Sequence, residues 1–256
     1  MTVWCILVIA FNTFRENLRD RILYNLLFFA LLLIGVSVLL GDLTISEQKK
    51  IVTDMGLGTI NLVGVIIAVF VGIGLVSKEI ERRTVYTIMA RPISRPQFIL
   101  GKYLGLALTL TVNVVVMLGV FLATLWMDQA PIHGALFQAI QLIYVEWLLV
   151  TALALFFSTF SSSTLSAIMT LSFYVIGHLT ADFKGIAETS HSEAVKAVMN
   201  GLYYLCPNLE VLNVKGQAAM GEVVLPSYQA LASLYGLLYA ALLITAACVV
   251  FQRRDF

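Results

Sequence analysis

Long uncharged apolar runs recur along the chain, separated by short clusters of charged and turn-forming residues. Reading from one charge cluster to the next gives runs over 22–40, 55–77, 103–127, 135–160, 164–180 and 228–251. A helix rising 1.5 Å per residue needs about 20 apolar residues to cross a hydrocarbon core, and these runs are of that order. They are continuous rather than alternating, which disfavours the roughly ten-residue segments of a membrane barrel. Helices are the remaining way to satisfy the backbone in lipid. The pattern therefore predicts an all-α integral membrane protein with six transmembrane helices. The fourth and fifth runs are separated only by the hydroxyl cluster at 158–164, where Ser161, Ser162 and Ser163 let the chain turn.

Composition agrees with this solvent. The 256 residues are 60% hydrophobic and only 12% charged, with a mean hydropathy of +0.92, too little charge to cover a soluble particle. A net charge of +1 excludes a strongly basic nucleic-acid binder. The distribution of charge is more informative. Arg15, Arg19, Arg21, Lys78, Arg82, Arg83, Arg91, Arg95, Lys102, Arg253 and Arg254 fall in alternate connections, leaving Lys49, Lys50, Lys184, Lys196 and Lys215 among acidic residues in the others. Because cytoplasmic connections retain Lys and Arg, this predicts both termini inside a cell (inner) membrane.

The apolar stretch 3–11 is too short to span, and its basic residues follow it, the wrong order for a secretory signal. Residues 1–21 read as a helix lying in the inner interface, with Trp4 and Phe14 at headgroup level and Arg15, Arg19 and Arg21 facing anionic lipid. Of the three cysteines, only Cys206 falls in an outer connection, where it reads as a buried free thiol. No HExxH, GxSxG, CxxC or GxxxxGK[ST] occurs, so no catalytic residue, metal site, cofactor or nucleotide pocket is expected in this chain. His133, His178 and His191 read as ordinary residues at the outer ends of helices.

The connection over 78–102 carries the densest polar pattern. Its first half has helical periodicity, with Ile80, Val85, Ile88 and Met89 toward one side and Glu79, Arg82, Arg83 and Tyr86 largely toward the other. Pro92 stops that helix, and Ser94-Arg95-Pro96 restarts one that leads into the third run, with Ser94 as N-cap. The run Glu79-Ile-Glu-Arg-Arg-Thr84, then Pro92-Ile-Ser-Arg95 and Gly101-Lys102, resembles the cytoplasmic signature of type-2 ABC (ABC-2) transporter permeases. Arg83 departs from it, since glycine is common there. Phe14-Arg15-Glu16, the stretch Leu205-Cys-Pro-Asn-Leu209 and the terminal Phe251-Gln-Arg-Arg-Asp-Phe256 resemble the subgroup that includes the permease used in maturation of the copper enzyme nitrous oxide reductase.

The resemblance implies the membrane-spanning permease subunit of an ATP-binding-cassette exporter, not itself an enzyme. Residues 78–102 would form a cytoplasmic coupling segment on a separate ATPase subunit, with Glu79, Glu81, Arg82, Thr84, Arg91, Pro92, Ser94 and Arg95 at the docking surface. ATP and Mg would belong to that partner, present in two copies, alongside a second permease copy or a paralogue. The chain's remaining partner is membrane lipid.

Within the spans, Glu146 is the acidic residue placed well inside, on the order of 16 Å from a helix start near Ala135. A lipid-facing charge there costs at least about 2.5 kcal/mol, so Glu146 must be protonated, paired or wetted. Asn113 is its candidate partner, and the two are candidates for the translocation path; a structural hydrogen bond between helices is the equal alternative. Four-residue stripes of small residues, Gly64-Ala68-Gly72, Gly101-Gly105 and Ala232-Gly236-Ala240, predict close helix contacts within or between subunits. The segment 181–227 is long for a helix connection, and 192–204 within it reads as an amphipathic helix ended by Pro207. Two other functions fit parts of the pattern: an ion-coupled secondary transporter or channel with Glu146 as coupling site, and a membrane scaffold that recruits a cytosolic partner.

Overall fold

The computed structural model describes residues 2–42, 48–81, 94–189 and 192–253. Among them every regular element is helical. In chain order these are α1 (Thr2–Asn17), α2 (Arg21–Asp42), α3 (Gln48–Glu81), α4 (Arg95–Met127), α5 (Gly134–Ser158), α6 (Ser163–Thr189) and α7 (Glu193–Leu205). A single 3-10 turn (Glu210–Leu212), the short α8 (Lys215–Ala219) and α9 (Pro226–Arg253) follow. Residues 82–93, which carry most of the expected coupling helix, and His191 lie outside the described residues.

Among the described residues, five helices are long and apolar enough to cross a membrane: α3 over 50–75, α4, α5, α6 over 163–180, and α9. α2, where another span was expected, runs over Arg21–Asp42, and Leu23–Ser37 is the apolar stretch of it whose side chains are described. Helix ends differ from the charge-bounded runs. α6 continues through Thr189, well past residue 180, and α3 already begins at Gln48. A charged residue marks where apolar surroundings must end, but it does not interrupt the backbone ladder; Asp182 and Lys184 are exposed on a helix that continues. α4 likewise starts at Arg95. Ser94 stands at its N-cap in extended conformation, its N–H donating to Gln97 Oε1 at 3.0 Å, and Pro96 occupies the first turn.

α5 is the centre of the bundle and is buried along most of its length, whereas most of the apolar stretch of α6 is not. α3, α4, α6 and α9 surround α5, and α2 packs on α3 and α4. The small-residue stripes make these contacts within the chain. Gly64 receives the indole of Trp147, Gly72 faces Ala154 and Leu106, and Gly236 admits Val145, because a Cβ at any of them would collide with or press on that neighbour. Gly101 and Gly105 serve a different pair: they let α1 lie directly on α4, where Ile9, Ala10 and Thr13 occupy the space. That contact is fastened by Asn17 Nδ2 donating to Thr109 Oγ1 at 3.2 Å and by a Lys102–Glu16 ion pair at 3.7 Å.

The free face of α1 carries Trp4, Leu7, Val8 and Phe11, all exposed. The outward surfaces of α4, α6 and α9 are apolar too, through residues such as Val115, Ile168, Val175, Leu231 and Leu238. An apolar exterior around a core that holds Asn61, Asn113 and Glu146 is the partition expected in hydrocarbon, not in water.

The α5–α6 turn is made by hydroxyls. Ser158 Oγ and Ser161 Oγ donate back to carbonyls of α5, and Ser161 and Ser166 share a hydrogen bond at 2.6 Å. We call this end of the bundle, with α1 and Arg95, the basal end, and the end carrying residues 192–225 the distal end. α7 at the distal end is largely exposed, including Val195 and Val198 on its apolar side.

Candidate functional site

Two regions contain the residues singled out by the sequence. The first is basal. Glu79 and Glu81 belong to the last turn of α3, while Arg82, Thr84, Arg91 and Pro92 lie outside the described residues. Ser94 and Arg95 are described, and both have intrachain work. Arg95 Nη1 donates to the carbonyl oxygens of Phe251 at 3.2 Å and Gln252 at 2.8 Å. The last carbonyls of a helix have no intrahelical donor and sit at the negative end of its dipole, so a guanidinium there caps α9. Phe98 stacks on Phe251 one turn deeper, with ring centroids 5.9 Å apart, and both rings are buried. The exit from the 78–102 segment is therefore tied to the end of the last helix as well as being continuous with α4.

The second region is a buried polar cluster centred on Glu146. α5 starts at Gly134, which puts Glu146 about three turns into the helix. Its side chain is fully buried. Asn113, the expected partner, is elsewhere: its amide donates to Thr109 O at 2.9 Å on its own helix. The reason is rotational, since residue spacing along α4 does not say which face turns toward α5. Glu146 is met instead by Asn61 of α3 and His178 of α6.

The geometry fixes the direction of each bond. Trp147 Nε1 donates to Asn61 Oδ1 at 3.1 Å. Indole has only a donor, so the Asn61 oxygen must face it and the Asn61 NH2 must face Glu146. That amide lies 3.3 Å from both carboxylate oxygens. His178 Nε2 is 3.1 Å from Glu146 Oε1, and the other ring nitrogen, Nδ1, is 3.2 Å from Glu210 Oε2. Glu210 is itself positioned: Asn213 Nδ2 donates to its Oε1 at 2.9 Å, and its backbone N–H donates to Asn208 Oδ1 at 3.1 Å. Tyr174 meets the imidazole edge to face, with centroids 4.9 Å apart.

His178 is thus no ordinary helix-end residue. It bridges a carboxylate inside the bundle and one at the distal surface. Asn61 and His178 were readable as polar interruptions of apolar runs, but only the packing shows that they converge with Glu146. Among the described residues no group of three or more metal-ligating side chains is placed to hold an ion.

The distal segment is seated on α6 beside this cluster. Leu209 N–H donates to Gly177 O at 3.0 Å, and a Cβ at Gly177 would collide with Leu209 and with Pro207 O. Asn208 N–H donates to Tyr235 Oη of α9 at 2.8 Å. Cys206, just before it, is a free, buried thiol, and burial pushes its pKa up because the thiolate is poorly solvated there. Nearer the start of α5, Gln138 exchanges hydrogen bonds with Val224 N–H and O and reaches Gln229 of α9.

No curated protein matches this chain. A family does match, over residues 7–256, which takes in the span-forming helices, the basal segment and the buried cluster alike. The chain belongs to the family described as ABC-2 family transporter protein, and is a multi-pass membrane subunit of that kind of transporter.

Proposed function

We propose that this subunit forms the translocation path of an ATP-driven exporter and couples to a separate ATPase subunit through residues 78–102. The observation that carries this reading is the continuity of that charged segment with two helices of the bundle. It leaves α3 after Glu81 and re-enters through Ser94 and Arg95, whose guanidinium also caps α9. A displacement of the segment would reach α4 and α9 together. Six spans with both termini on the cytoplasmic side of the cell membrane, two permease copies or a paralogue pair, and two ATPase copies complete the proposal. ATP and Mg act in the partner. The stretches around Phe14, Pro207 and Phe251 support a client pathway like that of nitrous oxide reductase maturation.

The test is coupling. Charge reversal at Glu79 together with Arg82 should abolish stimulation of ATP hydrolysis in the reconstituted permease–ATPase complex while the variant still inserts; unchanged stimulation would count against the docking assignment. Topology has a separate test. An impermeant thiol reagent on intact cells under mild denaturation should modify Cys206 and spare Cys5, and modification of Cys5 alone would invert the proposed orientation.

A further inference from the structure

Ionised carboxylates only accept hydrogen bonds, and a neutral imidazole has one N–H. His178 faces a carboxylate with each ring nitrogen, Glu146 at 3.1 Å and Glu210 at 3.2 Å. Both contacts are hydrogen bonds only if the Glu146–His178–Glu210 triad holds one extra proton. It sits on the imidazole, giving an imidazolium between two carboxylates, on Glu146 Oε1, giving a neutral acid that donates to Nε2 while Nδ1–H faces Glu210, or on Glu210 Oε2, giving a neutral acid that donates to Nδ1 while Nε2–H faces Glu146. Removing that proton leaves one N–H for two carboxylates.

The carboxylates are not equivalent in what they lose. The Glu146 side chain is fully buried, with Asn61 and the Tyr174 hydroxyl as its other donors, whereas the Glu210 side chain is 43% exposed and water can replace the imidazole there. The remaining N–H therefore belongs with Glu146, and the contact to Glu210 opens. The other groups facing His178 are Tyr174 on the same helix and the Lys215 ammonium from α8, whose positive charge opposes an imidazolium. Glu210 belongs to the turn that follows Pro207–Leu209, the stretch seated on Gly177.

We propose that Glu146, His178 and Glu210 form a proton-binding site, and that its single proton fastens the 206–213 segment to α5 and α6. Binding converts Glu146 carboxylate, neutral His178 and Glu210 carboxylate into the bridged triad. Release returns the proton to water through Glu210, and the imidazole re-forms its N–H on Nε2 toward Glu146. No other co-reactant is required. The site places a proton-sensitive fastening at the distal end of a bundle whose other end carries the 78–102 segment.

Cys206 is a native reporter, because it is buried at the start of the fastened segment. The experiment uses the full chain with Cys5→Ala and Cys248→Ala in open membrane fragments, so that both faces see the same pH and a maleimide reaches either side. Labelling is followed from about pH 5 to about pH 9, the range that brackets histidine titration. A protected thiol of fixed exposure gains tenfold per pH unit through its thiolate fraction alone. We expect an additional rise of about fivefold or more within that range. Glu210→Ala should remove the additional rise and label faster than the parent at low pH. His178→Gln, which keeps a donor but cannot titrate, should follow the thiolate slope throughout. A parent profile identical to that of His178→Gln, or no acceleration at low pH in Glu210→Ala, would overturn the proposal.

Discussion

α5 and α6 are consecutive helices joined by a hydroxyl turn, and both carry an ionisable residue within an apolar run, yet they solve opposite problems. α5 is enclosed on nearly every side, so Glu146 depends on neighbours such as Asn61, His178 and Tyr174 for its hydrogen bonds. α6 lies at the margin, exposing Leu165, Ile168, Val175 and Leu179, and its inward ionisable group, His178, reaches back to serve the enclosed helix. A polar residue in a central helix depends on its neighbours; one at the edge has room to choose its partner.

The sharpest way to break this contrast is Glu146→Ala. It strands the Asn61 amide and the imidazole in the core, and loss of one partner of a buried charged pair costs about 3–5 kcal/mol. Denaturation in detergent should show a large fall in stability, with Glu146→Gln falling much less. Ser172→Leu, at an exposed position of α6, should stay within about 0.5 kcal/mol.

Packing should show the same asymmetry. Gly64→Ala places a methyl in the Trp147 ring and should cost about 1–3 kcal/mol, whereas Gly58→Ala, on the same helix with nothing near its Cβ, should be neutral or stabilising by up to about 1 kcal/mol. Thermal unfolding of the two variants side by side checks this. At the edge, Gly177→Ala should lift the Pro207–Leu209 stretch off α6 and raise the maleimide reactivity of Cys206 at fixed pH, with the bundle still folded. If labelling is unchanged, that stretch is held by α9 through Tyr235 and not by α6.

The smallest effect is expected at the base. Arg95→Gln loses the guanidinium cap on α9, and because that site is partly open to solvent the loss should be about 1 kcal/mol. Arg95→Lys should recover only part of it, since a point charge does not reproduce the planar fork.

Apolar runs of bilayer length, the turn-forming serines after Phe157 and the Ser94-Arg95-Pro96 helix start were all legible in the sequence, because each depends on local composition or local hydrogen bonding. Helix ends were less so. Asp182 and Lys184 look like a boundary in a hydropathy reading, but the backbone of α6 runs through them. The Glu146 cluster is half legible: the carboxylate stands out in its apolar run, but its expected partner Asn113 does not meet it, and His178 reads in sequence as a helix-end residue.

What the sequence determined by itself is the solvent and the element type, since hydrocarbon admits only backbones that satisfy their own hydrogen bonds and surfaces that are apolar. The motif around 79–102 added the family resemblance. Only the tertiary structure decided which faces turn inward. Rotating a helix by one residue moves its side chains by about 100°, and nothing in a single apolar run fixes that rotation until neighbours fill the glycine notches and satisfy the polar atoms. Gly64 against Trp147, and Trp147 against Asn61, set the rotation that brings Asn61 to Glu146.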